Sequence, residues 1–277
     1  AVGPGTCDMK GGVVVFLSAL ECLHQVGLLA NLPITLALNT DEERGAPTSR
    51  EMWSELAADT RLALFSECAG PKNEVVVSRR AKLSYRLDVA GVGAHAGGKG
   101  HDKVSALVEL SHQIIALEGL NARFQGTHLN VGKAWGGMAS NTVPGEATAL
   151  VDIRYPSGEL EAPIRQAVQE IASETTVRGS TAVVTETSFR PAWERSDGTM
   201  ALHARVQAAA QALGLEAPAE DRGGTADSNW FGSAGVPCLD GLGPMGFDDH
   251  TPRERAHLGS MFDRALLVAA VLADHAE

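Results

Sequence analysis

Hydrophobic positions in the first third of the chain follow a helical and then a strand-like pattern. Apolar residues recur at helical spacing over residues 13–29, and a continuous apolar run follows at residues 33–38. Apolar positions three and four apart are typical of an amphipathic helix, whereas a short continuous run with β-branched residues is typical of a strand buried on both faces. A second helical pattern near residues 49–57 and a second apolar run at residues 62–65 repeat the succession. The pattern therefore predicts an α/β domain.

The pattern changes to strict alternation of apolar and polar residues over residues 82–89. Such alternation predicts a strand with one face in a core and one face in water. Helical and strand patterns then follow in the order β-α-β-β-α-β, which is the order of the ferredoxin-like split unit. We expect this unit to be a complete small domain, residues 80–190, inserted in the α/β domain of residues 1–79 and 191–277.

The α/β pattern returns after the predicted insertion. Helical spacing covers residues 199–213 and 258–276, and a short apolar run at residues 236–239 predicts a further strand. A glycine-rich turn, residues 223–224, lies between them.

Composition and charge limit the classes of partner that this chain is expected to bind. A net charge of -11 over 277 residues leaves no clustered Lys and Arg for a phosphate backbone, so we expect a small molecule or peptide and no nucleic acid. No apolar run approaches the roughly 20 residues of a membrane span, and no membrane partner is expected. Four cysteines without a CxxC spacing indicate reduced thiols, which favours a cytoplasmic location.

Acidic residues follow both strands predicted in the first part of the chain. Asp41, Glu42 and Glu43 come after residues 33–38, and Glu67 comes after the next strand. The carboxyl ends of strands in an α/β sheet form the edge at which ligands bind. A run of three acids is by itself more typical of a solvated loop. Acids delivered by two strands to one edge favour a divalent cation instead.

Seven short motifs occur along the chain, and their order is informative. They are GPGTCDMKGG (3–12), NTDEERG (39–45), SEC (66–68), GVGAHAG (91–97), SNTVP with DIRY (140–144 and 152–155), GGTADSN (223–229) and GLGPMGFDDHT (241–251). With these motifs in this order, the chain is similar to the M20 family of metallopeptidases and amide hydrolases, most closely to its glutamate carboxypeptidase branch.

The resemblance implies a site with two zinc ions. Asp8 resembles the carboxylate that bridges them, Glu43 and His250 complete the first site, and Glu67 binds the second ion. Glu42 stays free of metal and acts as the general base on a metal-bound water. A cis peptide bond after Asp8 is implied as well. From the residues alone, Asp8 is also compatible with a helix cap and His250 with a solvated loop.

The resemblance implies a substrate with a free carboxylate. Asn141 and Arg154 resemble the pair that holds this group, and a guanidinium fork suits a planar carboxylate. An ion pair of Arg154 with Asp152 or Glu146 is the alternative interpretation.

The inserted domain is expected to act as a lid and to form a homodimer. His95 resembles a histidine that reaches the active site from a second subunit, and an exposed turn histidine is the alternative. Gly223 and Gly224 resemble the turn at which backbone approaches the ligand, where a side chain would be in the way. Asp227, which follows them, is also compatible with a helix cap.

One expected motif does not occur in this sequence. The resemblance implies a preceding segment with a His-x-Asp motif whose histidine is a further metal ligand, and none of the nine histidines has that context. We therefore expect a catalytic domain that is incomplete at its N-terminus. Such a chain should bind close to one zinc ion, or none if the site collapses, and should be essentially inactive alone.

The function expected is hydrolysis of an amide or peptide bond next to a free carboxylate, such as that of a C-terminal glutamate. An N-acyl amino acid deacylase or desuccinylase of the same family is one alternative. A non-catalytic binding or dimerisation fragment is the other.

Overall fold

A computed structural model describes residues 1–98 and 103–274. The chain divides into two compact units, which we call unit 1 (Ala1–Arg79 and Trp193–Glu277) and unit 2 (Arg80–Ala192). Both units mix helices and strands, which confirms the predicted α/β character. The predicted end of the last helix, residue 276, lies outside the described residues.

The helices and strands are numbered in chain order. The helices are α1 (Lys10–Gln25), α2 (Arg50–Asp59), α3 (Ala106–Glu118), α4 (Leu120–Arg123), α5 (Glu161–Ser173), α6 (Asp197–Ala212), α7 (Ser228–Ser233) and α8 (Leu258–Ala273). The strands are β1 (Ala63–Leu64), β2 (Val75–Arg79), β3 (Ala81–Ala90), β4 (Ala94–His95), β5 (His128–Gly136), β6 (Thr142–Val143), β7 (Glu146–Tyr155), β8 (Thr181–Arg190), β9 (Ala219–Arg222), β10 (Cys238–Leu239), β11 (Gly246–Phe247) and β12 (Arg255–Ala256). In the described part of the chain, every helix is too short or too polar to cross a membrane.

Unit 1 is built on short strand pairs. β1 pairs with β10 and β2 with β9, both in parallel, while β11 and β12 form an antiparallel pair. Helices α1, α6 and α8 supply apolar side chains to the core over these strands, among them Ala19, Val206 and Leu267. Because the ladders are short, most of the backbone near the predicted site consists of loops.

The prediction of a strand at residues 33–38 is wrong. This segment contains no strand, and no hydrogen-bonded neighbour strand pairs with it among the described residues. Leu36 and Leu38 are 41% and 58% exposed, whereas a strand covered on both faces would bury them. An apolar, β-branched composition favours a strand but does not supply the ladder partner that a strand needs.

Unit 2 contains a four-stranded antiparallel sheet with the strand order β5-β7-β3-β8. The predicted alternation holds along β3, where Leu83 and Leu87 are buried and face α3 and α5 as part of one core. On β7, Ile153 pairs with Leu83 and is fully buried. The opposite face of the sheet carries polar and charged residues. Strict period-2 patterning therefore predicted β3 of this sheet correctly.

Candidate metal centre

Three side chains of unit 1 converge although they are far apart in sequence. The ring Nε2 of His250 lies 2.8 Å from Oδ2 of Asp8 and 3.4 Å from Oε2 of Glu43. One ligand atom from each residue lies within 4.8 Å of the other two. Two carboxylates and an imidazole at this spacing are a donor set that zinc accepts. The structure thus brings together three of the four metal ligands that the sequence predicts.

Asp8 lies in the loop before α1 and does not cap that helix. The first helical residue is preceded by Met9, and no side chain caps the helix N-terminus. The Asp8 carboxylate instead contacts His250, and the Asp8–Met9 peptide bond is cis, as the resemblance implied. The helix-cap interpretation of Asp8 is therefore not what the structure shows.

Asp41 anchors the acidic loop without joining the cluster. Its carboxylate accepts hydrogen bonds from the hydroxyls and backbone N–H groups of Thr48 and Ser49, and from the amide of Asn39. The bonds from Ser49 and Thr48 hold the pKa of Asp41 well below its usual range. A fixed, ionised Asp41 sets the start of the short 3₁₀ turn Glu42–Arg44. Glu43 can therefore reach Asp8 and His250 from a defined backbone.

His250 lies in the loop of the hairpin formed by β11 and β12. Asp248 and His250 both have left-handed backbone conformations, with φ of 57° and 58°. Such conformations are uncommon for residues other than glycine and cluster at functional sites. An ion pair between Arg255 and Asp248 closes the base of the loop. The His250 side chain is 67% exposed, yet it points at two carboxylates rather than into solvent alone.

The charges of the cluster are mutually dependent. The pKa of Glu43 is raised, first by desolvation and then by the negative charge of Asp8. The pKa of His250 is raised as well, chiefly by the negative charge of Glu43. Two carboxylates this close together need a positive charge between them. A divalent cation held by the three side chains would supply that charge.

Glu67 lies near this cluster but outside it. Burial raises the pKa of Glu67 well above its usual range, and Asp240, Asp8 and Glu42 contribute negative charge. Two close backbone approaches position the preceding residue, Ser66. A Cβ on Gly12 would lie 1.8 Å from the Ser66 carbonyl oxygen, and one on Gly243 would lie 2.4 Å from it. Glycine is required at both positions, and it lets the strand that ends near Glu67 pack against the start of α1.

A buried ion pair, formed by Arg79 and Asp240, contributes to the electrostatic environment of Glu67. Arg79 donates from Nε and Nη2 to Asp240, both at 2.9 Å, and the two side chains are 4% and 0% exposed. The same guanidinium donates to the carbonyl oxygen of Gly224 at 3.0 Å. Asp240 also accepts from the Ser228 hydroxyl at 2.6 Å. The positive charge of Arg79 partly offsets the acids around Glu67.

The glycine-rich turn is held from two sides. Arg79 binds the carbonyl oxygen of Gly224, and Asn39 donates to the carboxylate of Asp227 at 2.7 Å. Asp227 precedes α7 but makes no capping hydrogen bond through its side chain. A Cβ on Gly223 would meet nothing within 4 Å, so the packing of this chain does not itself require glycine there.

In unit 2 the structure brings His95 and Asn141 together. The short strands β4 and β6 are antiparallel, and His95 pairs with Thr142. The backbone N–H of Ala96 donates to the carbonyl oxygen of Asn141 at 2.8 Å. Both predicted substrate residues are exposed, and the His95 Nδ1 accepts a hydrogen bond from the Gly97 N–H.

The structure does not bring Arg154 to Asn141. Arg154 lies near the end of β7, eight residues after Glu146, which at about 3.3 Å per residue amounts to about 26 Å of strand. Asn141 lies beyond the opposite end of the same strand. Arg154 donates to Asp152 through Nε at 2.7 Å and Nη2 at 3.3 Å. Within one chain, the alternative interpretation of Arg154 as an ion-pair partner of Asp152 is the one observed.

Comparison with known proteins identifies the family. The sequence profile of peptidase family M20/M25/M40 matches residues 1–274. The chain belongs to this family. The match confirms the resemblance on which the site residues were predicted.

Several relatives in the M20 family match over nearly the whole chain. Carboxypeptidase G2 from Pseudomonas sp. (strain RS-16) is 29% identical over 274 residues, which are 98% of this chain and 66% of that protein. A succinyl-diaminopimelate desuccinylase from Stenotrophomonas maltophilia is 26% identical over 94% of this chain and 71% of its own length. The crystal structure of a tripeptidase from Staphylococcus aureus superposes with a TM-score of 0.78 at 24% identity, over 98% of this chain and 71% of that one. This chain therefore shares the M20 fold and spans about two thirds of the carboxypeptidase.

Sequence reasoning missed three residues that shape this M20 site. Arg79 and Asp240 form the buried pair, and the buried Glu254 binds the backbone around Asp8. Arg79 precedes the alternating strand, and in the sequence it looks like one more of the polar residues of that strand. Asp240 directly follows the predicted strand at residues 236–239, which is the signal by which Glu67 was found. Glu254 lies three residues after the end of the last motif, residue 251, and carried no signal of its own.

Proposed function

We propose that this chain carries the metal-binding part of a zinc-dependent hydrolase that cleaves an amide or peptide bond next to a free carboxylate. The convergence of Asp8, Glu43 and His250 is the observation that carries the proposal. Three protein ligands are the number that a catalytic zinc ion keeps while a position stays open for water. Membership of a peptidase family supports the same reaction class.

The residues present fit a zinc ion by their chemistry and charge. Asp8 and Glu43 supply oxygen and His250 supplies nitrogen, and the raised pKa values of Glu43 and His250 reflect a cluster short of positive charge. A zinc ion held by these residues would supply Lewis acidity toward a substrate carbonyl and a water molecule. Glu67, together with Asp8, is proposed to hold a second ion in the complete active site.

Glu42 is proposed as the general base. It directly precedes Glu43 in the 3₁₀ turn that the ionised Asp41 anchors, so its backbone is placed as firmly as that of its neighbour. Its negative charge contributes to the raised pKa of Glu67, which supports a position of Glu42 near the acids of the site. A carboxylate in this position can accept a proton from water and return it to the leaving amine.

We propose that unit 2 recognises the free carboxylate of the substrate. Arg154 now shares its guanidinium with Asp152, and both side chains are partly exposed, at 28% and 41%. An exposed pair of this kind contributes little to stability and can exchange its partner for a substrate carboxylate. Gly224, held by Arg79, is proposed to offer backbone to the ligand.

We further propose that unit 2 is the ferredoxin-like inserted domain and mediates a homodimer. His95 and Asn141 lie together at one end of β7, and Arg154 lies at the other end. One active site can use all three residues only if His95 and Asn141 come from one subunit and Arg154 from its partner. The edge strands of the sheet, β5 and β8, also leave backbone groups that another chain can extend.

The proposal is tested by assay of the full-length protein on N-acylglutamate and on its amidated analogue. We expect release of glutamate from the first substrate, loss of activity with a chelator and recovery with zinc. A desuccinylase would instead prefer a succinylated amine in the same assay. Zinc-independent turnover, or none on any acylated amino acid or peptide, would contradict the proposed function.

A further inference from the structure

Glu254 is a buried carboxylate that the proposed chemistry does not use. It is 4% exposed, and its side chain reaches back across the sequence to the loop that carries Asp8. Oε2 accepts the backbone N–H of Gly5 at 2.8 Å, and Oε1 accepts those of Cys7 at 2.9 Å and Asp8 at 3.1 Å. The Glu254 carbonyl oxygen accepts a fourth bond, from the N–H of Gly3 at 2.9 Å. One residue thus satisfies four backbone donors of a single loop.

These bonds replace the secondary structure that this loop lacks. Residues 3–9 form turns rather than a helix or a strand, so the N–H groups of Gly5, Cys7 and Asp8 find their acceptor in Glu254 instead of in a helix or a strand ladder. Hydrogen bonds from backbone N–H groups to an ionised carboxylate are roughly twice as strong as neutral ones. The Glu254 carboxylate therefore fixes the backbone that leads into Asp8, from Gly5 to the Asp8 N–H.

The same hairpin contacts Asp8 a second time. β11 and β12 pair in register, Gly246 with Ala256, and the loop between them contains both His250 and Glu254. His250 Nε2 contacts the Asp8 carboxylate at 2.8 Å, while Glu254 contacts the Asp8 backbone N–H. A shift of the Asp8 backbone relative to this hairpin would therefore break the bond to Glu254.

We propose that Glu254 is a positioning residue, which holds the Asp8 backbone so that Asp8 and His250 reach one metal ion. Both oxygens of Glu254 are already engaged by N–H donors, which distinguishes its role from that of a ligand. The inference rests on the proposed function to the extent that Asp8 and His250 are metal ligands. The arrangement of the Asp8 loop by Glu254 can be measured without metal.

Glu109 of unit 2 offers a matched control. It is also fully buried, and its carboxylate accepts the backbone N–H groups of Thr176 at 2.8 Å and Val177 at 2.7 Å. The E254Q and E109Q variants therefore both replace a buried carboxylate that organises an irregular loop. Only E254Q alters the loop that carries a proposed ligand.

The first measurement is hydrogen exchange of the metal-free chain. We expect E254Q to accelerate exchange of the amides of residues 5, 7 and 8, and E109Q to accelerate exchange at residues 176 and 177 instead. The second measurement is zinc affinity, by competition with a chromophoric chelator. We expect E254Q to bind zinc about 10- to 100-fold more weakly than the unaltered chain, as is usual for partners that orient ligands, and E109Q to bind it unchanged.

The outcomes of the two measurements distinguish a failure of the positioning role from a failure of the metal site. Unchanged zinc affinity in E254Q despite faster exchange, or equal weakening in E109Q, would overturn the positioning role while leaving the metal site intact. Absence of zinc binding by the unaltered chain would overturn the metal site and this inference with it. If E254Q does not fold, E254D, which keeps the charge on a shorter side chain, should show the same changes to a smaller degree, and unchanged affinity there would overturn the role.

Discussion

The two units organise their polar residues in opposite ways. Unit 2 has ten-residue strands, β3, β7 and β8, whose charged side chains pair on an exposed sheet face. Unit 1 has strands of two to five residues and places its acids on loops between them. A regular sheet uses its backbone for its own ladders, whereas loops leave backbone and side chains free to converge on a ligand. The candidate metal centre of this chain therefore depends on irregular backbone that buried side chains hold in place.

The largest expected effect is on turnover and concerns unit 1. Glu42→Gln in the full-length protein should reduce the catalytic rate about 10²- to 10⁴-fold, because a general base is lost. Zinc content should stay unchanged, since Glu42 is assigned as base and not as ligand. Steady-state assays with elemental analysis check both points. Loss of the metal, or retention of most activity, would show that the roles of Glu42 and Glu43 are assigned wrongly.

The next largest expected effect is on stability and concerns the buried ion pair of unit 1. Asp240→Asn should destabilise the chain by about 3–5 kcal/mol, because it leaves the buried Arg79 without its counter-charge. The matched control is Asp221→Asn, which removes the partner of the exposed Arg195 and should cost about 1 kcal/mol or less. Urea unfolding monitored by circular dichroism measures both variants. Equal costs for the two would remove the distinction between buried and exposed pairs.

In unit 2, stability should depend on apolar packing instead. Ile153→Ala removes a fully buried side chain that packs against the helices and should cost about 2–5 kcal/mol. Leu150→Ala lies three residues earlier on the same strand, where the side chain is 38% exposed, and should cost about 1 kcal/mol or less. The same urea experiment gives both values. A larger cost for Leu150→Ala would mean that the burial pattern of β7 is reversed.

A smaller effect concerns pH and the loop-organising carboxylate of unit 2. Burial by itself raises the pKa of Glu109, but hydrogen bonds from Val177, Gln113 and Thr176 outweigh it and leave the pKa below its usual value. The stabilisation is present above the unfolded pKa of about 4.3 and is lost as the pH falls through the lower folded pKa.

Glu109→Gln should therefore lower the free energy of unfolding at pH 7. The difference in the free energy of unfolding between this variant and the unaltered chain should narrow as the pH falls from about 5 to about 3. Urea unfolding midpoints at a series of pH values measure this difference. A gap that is constant or widens on acidification would show that Glu109 is not ionised in the folded chain.

Periodicity and chemistry predicted different parts of the molecule. Strict alternation predicted β3 of unit 2, because burying one face leaves a period of two in the sequence. The apolar run at residues 33–38 resembled a strand in composition, but composition does not reveal whether a neighbouring strand is present. The short strand β2 went unpredicted although its three buried valines form an apolar run of the same kind, whereas β9, with the sequence AEDR, carries no apolar pattern.

The candidate site shows the same division between local and distant information. The motifs identified Asp8, Glu43 and His250, and the structure brings them together. For Arg154 the resemblance implies a substrate carboxylate, with an ion pair to Asp152 or Glu146 as the alternative, and in this chain it pairs with Asp152, two residues away on the same strand face. Glu254 is separated by more than 240 residues from the loop that it holds, and nothing in its local sequence indicates that contact. Residues that support a site through backbone contacts leave no pattern in a single sequence.

The measurement that tests the central claim most directly is the zinc stoichiometry of this chain and of three single variants. We expect about one tightly bound zinc ion per chain by elemental analysis, since three donors converge and Glu67 lies outside their group. Asp8→Asn, Glu43→Gln and His250→Ala should each abolish tight binding, while Glu109→Gln, which alters a buried carboxylate of unit 2 that binds Thr176 and Val177, should retain it. Zinc that remains bound in all three ligand variants, or two tightly bound ions per chain, would contradict the account.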